Sequence, residues 1–430
     1  MEVNMDGLHT VAIVGLGSRG KDTYAPIVAG MNGRAKIVAI ADIDEKKVQE
    51  VRELYSVAEE NCFDSAEALL AAGKLADVMF VCTQDKQHVP QAIEALKQGY
   101  DVVLEKPISP STEQCRELLA VANECNGNLI VCHVLRYTPF FGKLYELLRE
   151  NSIGDIVTIQ GIENVGYYHM AHSFVRGNWR REDETSPMIL AKCCHDMDML
   201  LWLTGKHCKR VSSYGSLFHF RPENAPEGAT DRCMDGCAAK ADCPYDAEKI
   251  YVTNEGTGVA CGKEGWPVNI LTMHPTVESI YEAIKTGPYG RCVYRCDNDV
   301  VDNQVLAMEM DDGSTITYTM SGFTKNIFRQ MKLMGTKGEI VADMGRNTIT
   351  ITPHGKPSEV IDVKKLATDF SGHGGGDRRM VKEFFDLLDT GVMSERLTTL
   401  GRSIESHMLA LAAEYSRKHD GAPVTIADFR

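Results

Sequence analysis

Residues Leu8 to Gly20 read LHTVAIVGLGSRG, an apolar run that ends in Gly15-x-Gly17-x-x-Gly20. A strand feeding a glycine turn and then a helix directs backbone N–H groups and the helix dipole at a pyrophosphate, and the glycines let the phosphates come close. Gly15, Gly17, Ser18, Arg19 and Gly20 are therefore candidate cofactor residues. A glycine pattern alone is weak, and context strengthens it. The next strand, KIVAIAD, ends at Asp42, about 20 residues on, where an acid can take both ribose hydroxyls of NAD. A carboxylate there repels the 2′-phosphate of NADP, so NAD is the expected cofactor, although Lys46 and Lys47 soften that preference.

The pattern continues with helix DEKKVQEVRELY, helix SAEALLAAG, strand DVMFVCT, helix HVPQAIEALKQG and strand DVVLEKP. Alternating strands and helices specify a parallel sheet with right-handed crossovers. Its strand ends lie along one edge, where open α/β sheets bind ligands. Thr83, His88, Glu105 and Lys106 complete the candidate cofactor set on that edge. From Asp155 the grammar changes to two-residue alternation in IVTIQGIENV, VLAMEMDDGSTITYTMS and EIVADMGRNTITIT, the mark of a largely antiparallel, half-buried sheet. The fold class is α/β: an N-terminal Rossmann parallel-sheet domain, residues 1–130, and a C-terminal α+β domain with an open sheet, residues 131–430, interrupted by a Cys-rich insertion at about 221–265.

The chain has 430 residues, 43% of them hydrophobic, and a formal net charge of -14. A field of that sign argues against nucleic acid or an anionic membrane as the main partner. No basic region precedes the first apolar run and no segment approaches a membrane span, so the expected location is the cytoplasm.

Several segments resemble the Gfo/Idh/MocA family of NAD(P)-dependent oxidoreductases, which act mainly on sugars and cyclitols. They are GLGSRG, CTQDKQHVPQAIEAL, the EKP at Glu105 to Pro107, VLRYTPFF from Val134, the helix around His195, and HGGGD from His373. The resemblance implies that Lys106 is the family's catalytic-site lysine and His195 its second-domain histidine. Hydride transfer from a secondary alcohol requires a base, and a lysine serves when burial and a neighbouring nicotinamide cation favour its neutral form. Many relatives carry an aspartate four residues before the histidine. Ala191 stands there in this chain, with Lys192 beside it.

PMILAKCCHDMDMLLWLTG, from Pro187 to Gly205, reads as one helix that places Lys192 and His195 on a common face. Lys192 is a third candidate catalytic residue: it either binds an anionic or hydroxyl-rich substrate or pairs with Asp196. Upstream, GYYHMAHSFVRGNWRR gathers Tyr167, His169, His172, Arg176 and Trp179, convergent donors and aromatic faces suited to a polyol; with Arg136 they form the expected substrate wall.

Of the 14 cysteines most are scattered in apolar segments. RCMDGCAAKADCPY gives Cys233-x3-Cys237-x5-Cys243, which suggests a structural tetrahedral zinc with Cys292 or Cys261 as fourth ligand; reduced thiols and an iron–sulfur cluster are the alternatives. The expected activity is a sugar or cyclitol dehydrogenase working as a homodimer or homotetramer. The alternative is a redox-neutral NAD-dependent glycosidase that oxidises transiently, eliminates the aglycone, adds water and re-reduces. A non-catalytic nucleotide sensor is the third reading.

Overall fold

The computed structural model describes residues 7–125 and 127–429; residues 1–6, the start of the stretch read above for a targeting signal, lie outside that range. Six parallel strands, β1 (His9–Val14), β2 (Ala35–Ala41), β3 (Cys62–Phe63), β4 (Val78–Val81), β5 (Asp101–Leu104) and β6 (Leu129–Val131), form one sheet in the order β3-β2-β1-β4-β5-β6. The order reverses between β1 and β4, the crevice in which such sheets take a nucleotide. The crossover helices Glu45–Tyr55, Ala66–Ala71 and Thr112–Glu124 begin where local chemistry says they should: the Asp44, Ser65 and Ser111 side chains each accept a backbone N–H of the first turn.

The glycine turn after β1 is tight in two places and open in one. Gly15 has φ +86° and a Cβ there would lie 2.5 Å from the Cys82 carbonyl oxygen, while one on Gly20 would lie 2.0 Å from the Gly15 oxygen. A Cβ on Gly17 would meet no protein atom within 4 Å. The first two glycines close the strand onto the helix, and the third leaves room for a ligand.

Nine strands form the second sheet: β7 (Ile156–Asn164), β8 (Cys208–Ser216), β9 (Asn303–Met310), β10 (Thr315–Ser321), β11 (Phe328–Gly335), β12 (Gly338–Asp343), β13 (Thr348–Pro353), β14 (Glu359–Asp362) and β15 (Val424–Thr425). Their order is β14-β13-β12-β11-β7-β10-β9-β8-β15, antiparallel throughout except for β7 with β10. Ile159, Leu306, Met308, Tyr318, Leu333 and Ile340 point inward into one core cluster. Ile162, Tyr214, Val305 and Val341 alternate with them on the exposed face.

The expected single helix from 187 to 205 is broken. Helix Met188–Ala191 ends at Lys192, and Cys194–Thr204 starts anew after Cys193, whose ψ of 5° lies outside the helical range. In a continuous helix the Ala191 carbonyl would be committed to the His195 N–H. Here it accepts from Lys106 Nζ instead, at 3.1 Å. The second half of the helix is clamped by a buried pair, Arg136 with Asp198, whose side chains are 2% and 1% exposed.

The end of the chain returns to the parallel sheet. Met380, Phe384, Phe385 and Leu397 complete the core on one of its faces, and Leu400, Ile404 and Met408 that on the other. The Val131 N–H of β6 donates to the Thr398 carbonyl at 3.0 Å.

The glycine turn generates a paired expectation. Gly20→Ala costs about 1–3 kcal/mol of overpacking and lowers Tm by several degrees. Gly17→Ala leaves Tm within about 2 °C yet weakens NAD binding at least about tenfold, because its methyl occupies the space that the motif keeps for phosphate. Thermal unfolding with NAD titration of both variants separates the two, and identical behaviour would remove the cradle assignment.

Candidate active site

The strand ends converge as the spacing predicts. Asp42 lies at the tip of β2 and accepts the Leu16 and Asp44 N–H groups, which fixes its carboxylate beside the glycine turn. Thr83 follows β4 and donates to Gln91 Oε1 at 2.6 Å. His88 is buried between two carbonyls, those of Pro107 and Thr83, at 2.7 and 3.0 Å, and so ties the ends of β4 and β5 together.

Arg19 turns its side chain inward from the glycine turn. Its Nε donates to Glu105 at 2.6 Å and its Nη2 to Asp377 at 2.7 Å, and the Tyr24 hydroxyl also donates to Glu105 at 2.6 Å. Burial opposes ionisation of Glu105, and Arg19 followed by Lys106 overcomes it and holds the carboxyl below its usual range. The other oxygen of Glu105 accepts the Lys106 N–H at 3.0 Å.

Lys106 reaches across to the second domain. Besides its bond to Ala191, its ammonium lies 6.0 Å from the Trp179 ring centre. Trp179 is itself fixed by donation from its Nε1 to Asp85 at 3.1 Å. His195 is buried, with Nδ1 lacking any partner, and its imidazole is pushed well below the usual histidine range by burial, then by Lys106 and by His133. The His133 ring stands 5.7 Å from it and the His373 ring 6.2 Å. Lys192 does not pair with Asp196. It contacts Glu163 of β7 at 3.2 Å, while Asp196 takes a two-pronged pair from Arg329 at 2.8 and 2.9 Å. Burial drives Lys192 down and Glu163 up, so the two groups approach each other in proton affinity.

The expected substrate wall divides. His169 remains at the site: burial, then Lys192, His172 and Lys106, hold its imidazole neutral. Tyr167 accepts from Asn254 Nδ2 at 3.3 Å. His172 lies behind this layer, stacked on Tyr289 at 4.6 Å and 3.0 Å from the Tyr251 hydroxyl. The two arginines are committed elsewhere: Arg136 to Asp198, and Arg176 to the carbonyls of Arg291 and Tyr245, both at 2.7 Å.

Cys233, Cys237, Cys243 and Cys292 line one cavity of about 20 Å³ with Arg176 and Asp246. The zinc expected there is nevertheless not supported. Among the described residues no three His, Cys, Asp or Glu side chains converge as metal ligands, and Arg176 donates to Cys233 Sγ at 3.5 Å. Burial pushes the Cys243 and Cys292 thiols up, which favours their protonated form.

Sequence reading assigned no role to Asp85, His133, Glu163 or the His373–Asp377 pair. His373 Nδ1 lies 2.9 Å from Asp377 Oδ2 and 3.5 Å from Arg19 Nη1. It stands in a run of positive φ, at Gly372, His373, Gly374 and Gly375, that three glycines make affordable. The HGGGD motif was the available signal for it. Nothing local marks Glu163 or His133.

A glycine turn at the switch point of a parallel sheet, with a carboxylate at the tip of the neighbouring strand, is the geometry of a dinucleotide-binding unit. Its kinship follows from comparison. The family model described as oxidoreductase family, NAD-binding Rossmann fold, matches residues 9–133, and its companion, the C-terminal alpha/beta domain, matches residues 145–425. The chain belongs to the Gfo/Idh/MocA oxidoreductase family and is an NAD-dependent oxidoreductase. It is 23% identical over 406 residues to YteT of Bacillus subtilis (strain 168), named as an oxidoreductase, covering 88% of this chain and 89% of that one. It is 24% identical over 202 residues to an inositol 2-dehydrogenase of Corynebacterium glutamicum (strain R), covering 47% of this chain and 56% of that one. Among solved structures, an oxidoreductase from Agrobacterium radiobacter in complex with NAD+, L-tartaric acid and magnesium superposes with a TM-score of 0.70 at 15% identity, over 98% of this chain and 99% of the other.

The buried histidines generate a pH expectation. Burial pushes His133 down to about 4, and His172 and His407 to about 3. The unfolded chain takes up these protons from about pH 6.5 while the folded chain does not, so stability falls as pH drops below 6.5, down to about 4 for His133 and to about 3 for His172 and His407. Each histidine contributes a slope of up to about 1.4 kcal/mol per pH unit. Denaturant midpoints between pH 7.5 and 5 are expected to decline steeply, and a flat profile would contradict the neutral-histidine core.

Proposed function

We propose that this chain is a dehydrogenase of a secondary hydroxyl on a sugar, sugar derivative or cyclitol, with Lys106 and His195 as its acid/base groups. The observation that carries this reading is the bond of Lys106, at the end of β5, to the Ala191 carbonyl, in electrostatic reach of His195, whose Nδ1 has no partner. The open position at Gly17, the helix start at Ser18 and the carboxylate of Asp42 fit the phosphates and ribose of NAD. When bound, the nicotinamide supplies the hydride acceptor.

Lys106 then takes the hydroxyl proton as hydride leaves the adjacent carbon. Its backbone N–H is fixed by Glu105, and its amine is aimed by the Ala191 carbonyl. His195, neutral and dry, holds the same hydroxyl or its neighbour through a ring nitrogen. Lys192 with Glu163 orients a second hydroxyl, and His169, Tyr167 and Trp179 form the wall. Arg136 and Arg176 use Nε and Nη2 inside the protein and each keeps a buried Nη1 without a partner, and we assign both to supporting the wall. The bare outer face of the second sheet, with Ile162, Tyr214, Val305 and Val341, is the surface for a second copy of this chain; sedimentation is expected to give at least twice the 47.5 kDa chain mass.

Lys106→Met should lower kcat by at least about 10³-fold while NAD affinity changes less than about threefold; retained turnover would reject the assignment. Substrate class is tested by offering free sugars, cyclitols and aryl glycosides with NAD and following NADH and released aglycone together. Stoichiometric NADH is expected. Aglycone release without net NADH identifies the redox-neutral glycosidase instead.

A further inference from the structure

Residues 217–302, between β8 and β9, back the substrate wall along its length. Tyr251 and Tyr289 hold His172, the Tyr245 and Arg291 carbonyls hold Arg176, and Asn254 donates to the Tyr167 hydroxyl. One side chain of this segment stands on the rim rather than behind it. Trp266 is 37% exposed. It meets His169 edge to face at 4.8 Å and His172 at 5.3 Å, and Tyr168 lies 6.1 Å away.

Two observations place this indole at the mouth of the site. His169, which it touches, is buried and lies in the field of Lys192 and Lys106. Three residues on, Asn269 Nδ2 donates to Asp22 Oδ2 at 2.8 Å, and Asp22 belongs to the helix of the glycine turn. The loop carrying Trp266 therefore runs from the substrate wall to the cofactor domain, and Trp266 lies between them. An indole fixed by two imidazole rings roughly perpendicular to it, with part of its surface left to water, has the chemistry that binds the apolar face of a pyranose.

We propose that Trp266, with Tyr168, forms a subsite for a second pyranose ring, next to the ring that reacts between Lys106, Lys192 and His195. The substrate is then a disaccharide or longer glycoside rather than a free monosaccharide. This rests on the sugar reading above and narrows it.

Binding without turnover tests it. Lys106→Met protein saturated with NAD is titrated calorimetrically with matched probes: glucose against cellobiose and maltose, xylose against xylobiose, galactose against galactobiose. At least one disaccharide is expected to bind ten times or more tightly than its monosaccharide. Adding Trp266→Ala should abolish that gain and leave monosaccharide binding within twofold, and Trp266→Phe, which keeps an aromatic face and guards against a folding defect, should retain part of it. No disaccharide exceeding its monosaccharide, no binding at all, or equal weakening of both by Trp266→Ala would overturn the subsite. Failure of the sugar reading is distinguished separately, by wild-type protein yielding neither NADH nor aglycone from any sugar.

Discussion

Arg19 donates to Glu105, Asp377 and the Tyr24 hydroxyl in a place largely shut off from water, and the two carboxylates come from distant stretches of chain. Arg19 comes from the nucleotide turn, Glu105 and Tyr24 flank the end of β5 and the first helix, and Asp377 closes the HGGGD motif. Two carboxylates this close and this buried require a cation that cannot lose its proton, which a guanidinium supplies and an ammonium does not. Burial works against the charge on Asp377, and Arg19 holds the carboxyl well below its usual range. Because Glu105 also takes the Lys106 N–H, the backbone of the lysine proposed as acid/base group is set by an ion lattice that reaches into the glycine turn. His373 is positioned by the same lattice through Asp377.

What could be read in advance was what local pattern controls. The glycine turn and Asp42 follow from spacing along adjacent segments, and the antiparallel strands from alternation, confirmed by the hairpins β9–β10 and β12–β13. Lys106 and His195 were singled out through motif, and the fold brings the ends of their segments together. Long-range pairing was not. Lys192 faces Glu163 and not Asp196 because the helix breaks at Lys192, and the break is decided by what lies opposite it. Arg136 and Arg176 have the composition of a polyol site, but buried carbonyls and Asp198 claimed their donors. The cysteine spacing brought four thiols to one cavity, as it suggested, yet spacing along a chain does not aim sulfur atoms at a common point.

Near Lys106 several buried imidazole nitrogens have no partner among the described residues: both nitrogens of His133 and Nδ1 of His195. A buried polar atom left unpaired costs about 1–3 kcal/mol, so such atoms gather where a ligand completes them. They stay uncharged because burial and the neighbouring cations agree in disfavouring protonation. The site thus offers neutral donors and acceptors in a dry setting, where hydrogen bonds to hydroxyl groups have the most directional force.

The return of the chain's end to the parallel sheet sets an order of assembly. As synthesis proceeds from the N-terminus, the strands β1 to β6 emerge well before the residues that cover them, Met380 to Leu397 on one face and Leu400 to Met408 on the other. Until those residues emerge the nucleotide unit presents uncovered apolar surface, so its core closes only after the intervening second sheet has been made, and not domain by domain.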